Sequence, residues 1–143
     1  MLSNKCKYAL RAILLLAVES SKEHKIRGNA LAENLKIPTA YLGKILQELV
    51  PKGVISSTKG PNGGFYLTEK NLEMPLLDVI EAIDSLDYFE KCGLGLTACS
   101  DSSPCPIHED FKVGRNHIKE IFANKTIRKL ATEITDDNLI LVR

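Results

Sequence analysis

Three thiols and an imidazole fall within seventeen residues, in the stretch Cys92-Gly-Leu-Gly-Leu-Thr-Ala-Cys99-Ser-Asp-Ser-Ser-Pro-Cys105-Pro-Ile-His108. The stretch is too rich in glycine, serine and proline to be helix or strand, so it reads as a flexible loop able to converge its donors. Soft thiolates with imidazole suit iron–sulfur clusters, zinc or Cu(I). By spacing alone, a set of three cysteines and one histidine is also a structural zinc site. Clustered thiols serve equally as a metal-free disulfide switch where one of them is exposed and acidic. The plainest alternative is inert loop thiols, with His108 doing no more than capping the next helix. A thiol enzyme would use the same residue types. The chain offers no recognisable third orienting group and no glycine-rich nucleotide fingerprint, so an enzyme is the weaker expectation.

What holds such a loop is constrained by the whole chain. With 143 residues, 44% of them apolar and 26% charged, it is ordinary globular material. The longest wholly apolar run, Ala12 to Val18, is far short of the roughly 20 residues that cross a bilayer. No signal-peptide pattern precedes it. Four cysteines, three of them beside a histidine, favour a metal or redox site over a secreted disulfide framework. The expected setting is a reducing cytoplasm, with no membrane partner. Net charge is only +1, yet it is unevenly spread: +6 over residues 1–70, −8 over 71–110 and +3 over 111–143. A basic first half points toward nucleic acid.

Hydrophobic spacing supplies the elements. A helix is expected over Cys6–Ser20, striped by Tyr8, Ala12, Leu15, Leu16 and Val18. A short helix Ala30–Leu35 follows, with Asn29 as its cap. The next starts at Pro38-Thr39 and runs to about Val50, where Pro51 stops it. Its positions Leu42, Ile45, Leu46 and Leu49 face inward, while Tyr41, Lys44 and Glu48 share another face. Two helices joined by a tight turn make a helix-turn-helix pattern. The β-prone runs Val54–Thr58 and Phe65–Thr68 flank Lys59-Gly-Pro-Asn-Gly-Gly64, which is dense turn chemistry. A hairpin directly after the second helix makes the domain a winged helix. Beyond it, a helix opens at Pro75 with the stripe Leu76, Val79, Ile80, Ile83 and Leu86. A long helix to about Lys125 carries Ile107, Phe111, Ile118, Ile121 and Phe122, with Gly114 on the same face, and Thr126 caps a last helix Ile127–Ile134. The expected fold is mostly α with a small β-hairpin: a winged helix-turn-helix over 1–72, then a cysteine loop (88–108) and a helical region within 73–143.

These residues resemble the iron–sulfur cluster regulator family of winged-helix bacterial transcription factors, which includes IscR-, NsrR- and CymR-type proteins. The resemblance spans nearly the whole chain. It runs through Lys5-Cys6-Lys7-Tyr8-Ala9, Ala32-Glu33…Ile37, Tyr41-Leu42 and Leu49…Lys52-Gly53, then the wing Ser56-Ser57…Lys59-Gly-Pro-Asn-Gly-Gly-Phe-Tyr-Leu67. Val79-Ile80…Ala82-Ile83 and the loop ending Cys105-x-x-His108 complete it. It implies a homodimer formed through the long helix and an iron–sulfur cluster, 2Fe–2S in type, with Cys92, Cys99 and Cys105 as thiolate ligands and His108 as the fourth.

Three departures stand out. Six residues separate Cys92 from Cys99, one more than in the best-known members. Cys6 sits where glycine or another residue is usual, and it is an outside candidate for a ligand. Ala40 and Gly43 replace polar residues that read bases in some members. Lys7 occupies the position at which other members recruit an acidic ligand, which favours His108. On the DNA side, Thr39 at the helix start is placed for phosphate, and Tyr41 and Lys44 point away from the core, Lys44 either as a phosphate or guanine contact or as a solvated helix lysine. Lys59 at the wing would contribute a phosphate or minor-groove contact, and Gly63 either admits a close backbone approach or simply makes the turn. The implied target is double-stranded DNA bearing an inverted repeat, read by a twofold dimer.

Overall fold

A computed structural model describes residues 1–142. Helix α1 (Asn4–Glu19) is opened by Ser3, whose side chain accepts from the Cys6 N–H at 3.0 Å. It buries Ala9, Ala12, Ile13 and Leu16, whereas Val18, expected on this stripe, is exposed. Helix α2 (Gly28–Leu35) begins two residues earlier than expected. Arg27 occupies its cap without a side-chain hydrogen bond, so Asn29 lies inside the first turn and caps nothing. Lys36 then adopts a left-handed conformation (φ 55°), and Ile37 N–H returns to Ala32 O at 3.0 Å. That tight exit delivers Pro38 to the cap of α3 (Thr39–Leu49). The inner face of α3 is as expected: Leu42, Ile45, Leu46 and Leu49 are buried against α1 and α2.

The wing is an antiparallel pair, β1 (Ser56–Thr58) and β2 (Gly64–Tyr66), in the register Ser56↔Tyr66, Ser57↔Phe65 and Thr58↔Gly64. It is shorter than the β-prone runs because Val54, Ile55 and Leu67 turn into the core. The segment before α2 adds a third pairing: Ile26 exchanges both backbone hydrogen bonds with Phe65, at 2.9 and 2.8 Å. Glycine is required at the turn. A Cβ on Gly63 would stand 2.3 Å from Thr58 O, and one on Gly64 (φ +151°) would stand 2.9 Å from Ile26 O.

A one-turn helix, α4 (Glu69–Leu72), anchors the wing to the core through Asn71. This buried amide donates to Gly53 O at 2.9 Å and accepts from Ser56 Oγ at 3.0 Å and Thr68 N–H at 2.9 Å. Helix α5 (Leu76–Ile83) follows, ending before Leu86, which sits instead in a 3-10 turn, Leu86–Phe89. Helix α6 (His108–Ala123) has 16 residues, about 24 Å of length. Helix α7 (Ile127–Asp136) is capped by Thr126, whose hydroxyl accepts from Lys129 N–H at 3.2 Å. α7 returns across α1, and Ile127 is buried in the same core as Ile13.

The apolar positions of α6 divide between two faces. Ile118 and Phe122 pack on a second small core of Cys6, Ile80 and Phe89. Ile121 and Ile107 lie outside it, exposed together with Val113, of which 68% is accessible. Gly114 accordingly falls on the outer face, with no atom within 4 Å of a Cβ placed there. The expected single stripe was too wide for one helix–core contact.

Candidate functional site

Cys92 emerges from the 3-10 turn, whose last bond joins Lys91 N–H to Asp87 O at 2.8 Å. The chain then curls around its side chain: Gly95 (φ 74°) donates to Cys92 O at 3.0 Å. Backbone N–H groups of Leu94 and Leu96 face the sulfur and hold this thiol below its ordinary range, because they stabilise the thiolate. At the other end of the loop, His108 N–H donates to Cys105 O at 3.0 Å. His108 is thus the first residue of α6 and is buried.

The four expected ligands come together as two pairs. Cys92 Sγ lies 3.6 Å from Cys105 Sγ, and Cys99 Sγ lies 3.4 Å from His108 Nδ1. A tetrahedral ion with metal–sulfur bonds of about 2.3 Å and metal–nitrogen bonds of about 2.0 Å sets two sulfurs about 3.8 Å apart, and sulfur and nitrogen about 3.5 Å apart. Each pair therefore has the spacing of two ligands on one ion. The pairs do not merge: among the described residues, the set of three candidate ligand groups whose atoms all lie within 4.8 Å of one another is Asp101, His108 and Glu109, with no thiol in it.

Neighbouring side chains, invisible to spacing arguments, complete the site. Asp101 Oδ1 lies 2.7 Å from His108 Nε2 and accepts from Lys112 Nζ at 2.7 Å. The Lys112 ammonium, then the His108 contact, hold the Asp101 carboxyl below its usual range. Arg115 is buried on α6, donates from Nη1 to Lys91 O at 2.6 Å and stacks over the Phe111 ring at 5.9 Å. Gly93 also lies against Phe111: a Cβ there would meet the ring at 2.8 Å. The Nε of Arg115 has no partner among the described residues. Its one sequence signal was a charged residue on an otherwise inward-facing helical position.

Cys6 is no part of this site. It is fully buried between Ile80 and Phe89. Burial first, and the Asp84 carboxylate second, push its thiol up to about 12.

Thr39, Tyr41 and Lys44 are exposed along α3, and Lys59 is exposed on the wing. Tyr41 is held edge-on by Tyr8 of α1, at 5.8 Å between rings, and Arg11 lies over Tyr8 at 5.9 Å. Glu48, expected on the same face, is tied to Lys5 at 2.5 Å and Lys52 at 2.9 Å. Arg27, which sequence reasoning passed over, donates to Pro61 O and so joins the start of α2 to the wing tip. Gly63 is half-buried in the turn, and its steric role there is explicit.

Comparison with known proteins gives a consistent assignment. The Rrf2 family, described as an iron-dependent transcriptional regulator, matches residues 2–133. An HTH-type transcriptional regulator of Aquifex aeolicus is 32% identical over 130 residues, 90% of this chain and 89% of its own length. The HTH-type transcriptional regulator IscR of Pectobacterium atrosepticum is 27% identical over 129 residues, 90% of this chain and 77% of its own. Among solved structures, the global cysteine regulator CymR of B. subtilis superposes with a TM-score of 0.75 at 20% identity, covering 92% of this chain and 96% of that one. T. potens IscR gives 0.72 at 17% identity, covering 98% and 92%. These likenesses establish the winged-helix fold.

Proposed function

We propose, from the premise that this chain belongs to the Rrf2 family of transcriptional regulators, that it binds specific DNA under the control of an iron–sulfur cluster. Its ligands are Cys92, Cys99, Cys105 and His108, and its type is 2Fe–2S. The observation that carries this proposal is the arrangement of these donors as two pairs, 3.6 and 3.4 Å apart. Two irons with two terminal ligands each call for that grouping, whereas one zinc ion would draw all four donors around a single point. When bound, the cluster supplies one-electron redox chemistry and lability toward oxidants.

The protein's own residues supply the rest. Backbone N–H groups around Cys92 favour its thiolate. Arg115, buried on α6, fastens the backbone carbonyl of Lys91, the residue before Cys92, and so holds the start of the loop against the helix. His108 joins the loop directly to α6, so a change at the ligands reaches the helix that bears the outer apolar face. That face, with Val113, Gly114 and Ile121, is the surface on which a second copy of the chain would dock. A twofold dimer then offers two α3 helices to an inverted repeat in double-stranded DNA. Tyr41 and Lys44 address the groove, and Thr39 and Lys59 address phosphates. The relatives' regulatory role supports a cytoplasmic setting. No described helix is long and apolar enough to cross a membrane.

A second function rests on the same 3.6 Å separation of Cys92 and Cys105: oxidation of a metal-free loop to a disulfide would make a thiol switch. Both functions are tested by substituting each cysteine with alanine and measuring the visible spectrum and DNA affinity together. Under the cluster proposal, each of the three loop variants loses the chromophore, whereas Cys6→Ala keeps it. Under the switch, the protein is colourless throughout, and Cys92→Ala and Cys105→Ala alone lose their response to peroxide.

A further inference from the structure

We infer that Asp101 is a positioning residue for His108, fixing the imidazole so that Nδ1, not Nε2, is the nitrogen presented to the cluster; this deepens the cluster proposal and rests on it. Nδ1 lies 3.4 Å from Cys99 Sγ, on the ligand side, while Nε2 lies 2.7 Å from Asp101 Oδ1, on the solvent side. A carboxylate can only accept, so the proton between these groups belongs to Nε2 and leaves the Nδ1 lone pair free. The same Oδ1 accepts from Lys112 Nζ at 2.7 Å. Lys112 lies one turn along α6 from His108, so this ammonium holds the carboxylate at Nε2 and fastens the middle of the loop to the helix. Glu109 stands farther off, with its oxygen 3.9 Å from Nε2. Buried His108 beside exposed Asp101 is the arrangement in which a ligating histidine gives its second N–H to an outer carboxylate, and losing such a partner costs on the order of 10–100-fold in metal affinity.

The first test uses metal-free protein, so it does not depend on cluster chemistry. Nitrogen-15 correlation spectra of the His108 ring report which nitrogen carries the proton. Wild type is expected to show protonated Nε2 and unprotonated Nδ1. Asp101→Ala is expected to shift the population toward the other tautomer, and Asp101→Glu to restore it. A wild-type ring protonated on Nδ1, or an Asp101→Ala ring unchanged from wild type, overturns the inference. In reconstituted protein, Asp101→Ala should release iron about 10–100 times faster than wild type, with Lys112→Ala intermediate. Equal release rates also overturn it. A protein that takes up no iron while showing the expected tautomers contradicts the cluster proposal and leaves the positioning role of Asp101 standing.

Discussion

At the scale of single residues, two of the four cysteines have been given opposite fates by their surroundings. Cys92 sits in a curl of backbone donors that favours its thiolate, while Cys6 is sealed in a core that suppresses ionisation. The folded-state value of Cys6 is raised above that of the unfolded chain. Its contribution to stability is therefore complete below about pH 9, the unfolded value, and is lost as pH rises toward about 12. Cys6→Ala is expected to lower stability by about 1 kcal/mol at neutral pH through lost packing. Thermal melts between pH 9 and 12 should then show a shallower alkaline decline in the variant than in wild type. A parallel decline in both would mean that Cys6 ionises freely in the fold. The candidate donors were legible in the sequence because soft donors clustered on a glycine-rich loop are chemically unusual. Asp101, Lys112 and Arg115 were not, since an acid on a loop and cations on a helix are common, and only folding brings them to His108 and Lys91.

Among the elements, the wing shows how a few residues decide whether a basic surface is well formed. Its turn tolerates no side chain at Gly63, and its base hangs on one buried amide, Asn71. Lys59 is exposed, so Lys59→Ala should leave stability within about 0.5 kcal/mol of wild type. It should weaken DNA binding across sequences and reduce the salt slope by about one. Gly63→Ala should instead lower both stability and affinity, because the turn must rearrange. Asn71→Ala should cost about 1–3 kcal/mol by leaving Gly53 O and Ser56 Oγ unpaired. Melting curves with fluorescence anisotropy over a salt series separate these outcomes, and unchanged binding by Lys59→Ala at every salt concentration would remove the wing from the interface. The hairpin was readable from its turn residues. The Ile26 pairing and α4 were not, because an isolated bridge and a single helical turn leave no periodicity to detect.

For the whole molecule, the question is what covers the outer face of α6. Sequence periodicity found the helix but could not say which of its apolar residues face inward, since two adjoining faces both carry large side chains. Phe122 packs on the second core, whereas Ile121 is 45% exposed in the single chain. Ile121→Asp should therefore leave the protomer folded and convert the proposed dimer to monomer, with DNA affinity falling because half-sites are read singly. Phe122→Asp should unfold the protomer itself, since it buries an unpaired charge. Light scattering with circular dichroism distinguishes the two; a wild type that is monomeric at micromolar concentration would rule out this dimer. The most direct test of the proposed regulation is composition after anaerobic purification from iron-replete cells, with iron, acid-labile sulfide and zinc measured against protein and the visible spectrum recorded on the same sample. The cluster assignment predicts a coloured protein with about two irons and two sulfides per chain and no stoichiometric zinc. A colourless protein holding one zinc per chain, or no metal at all, would contradict it.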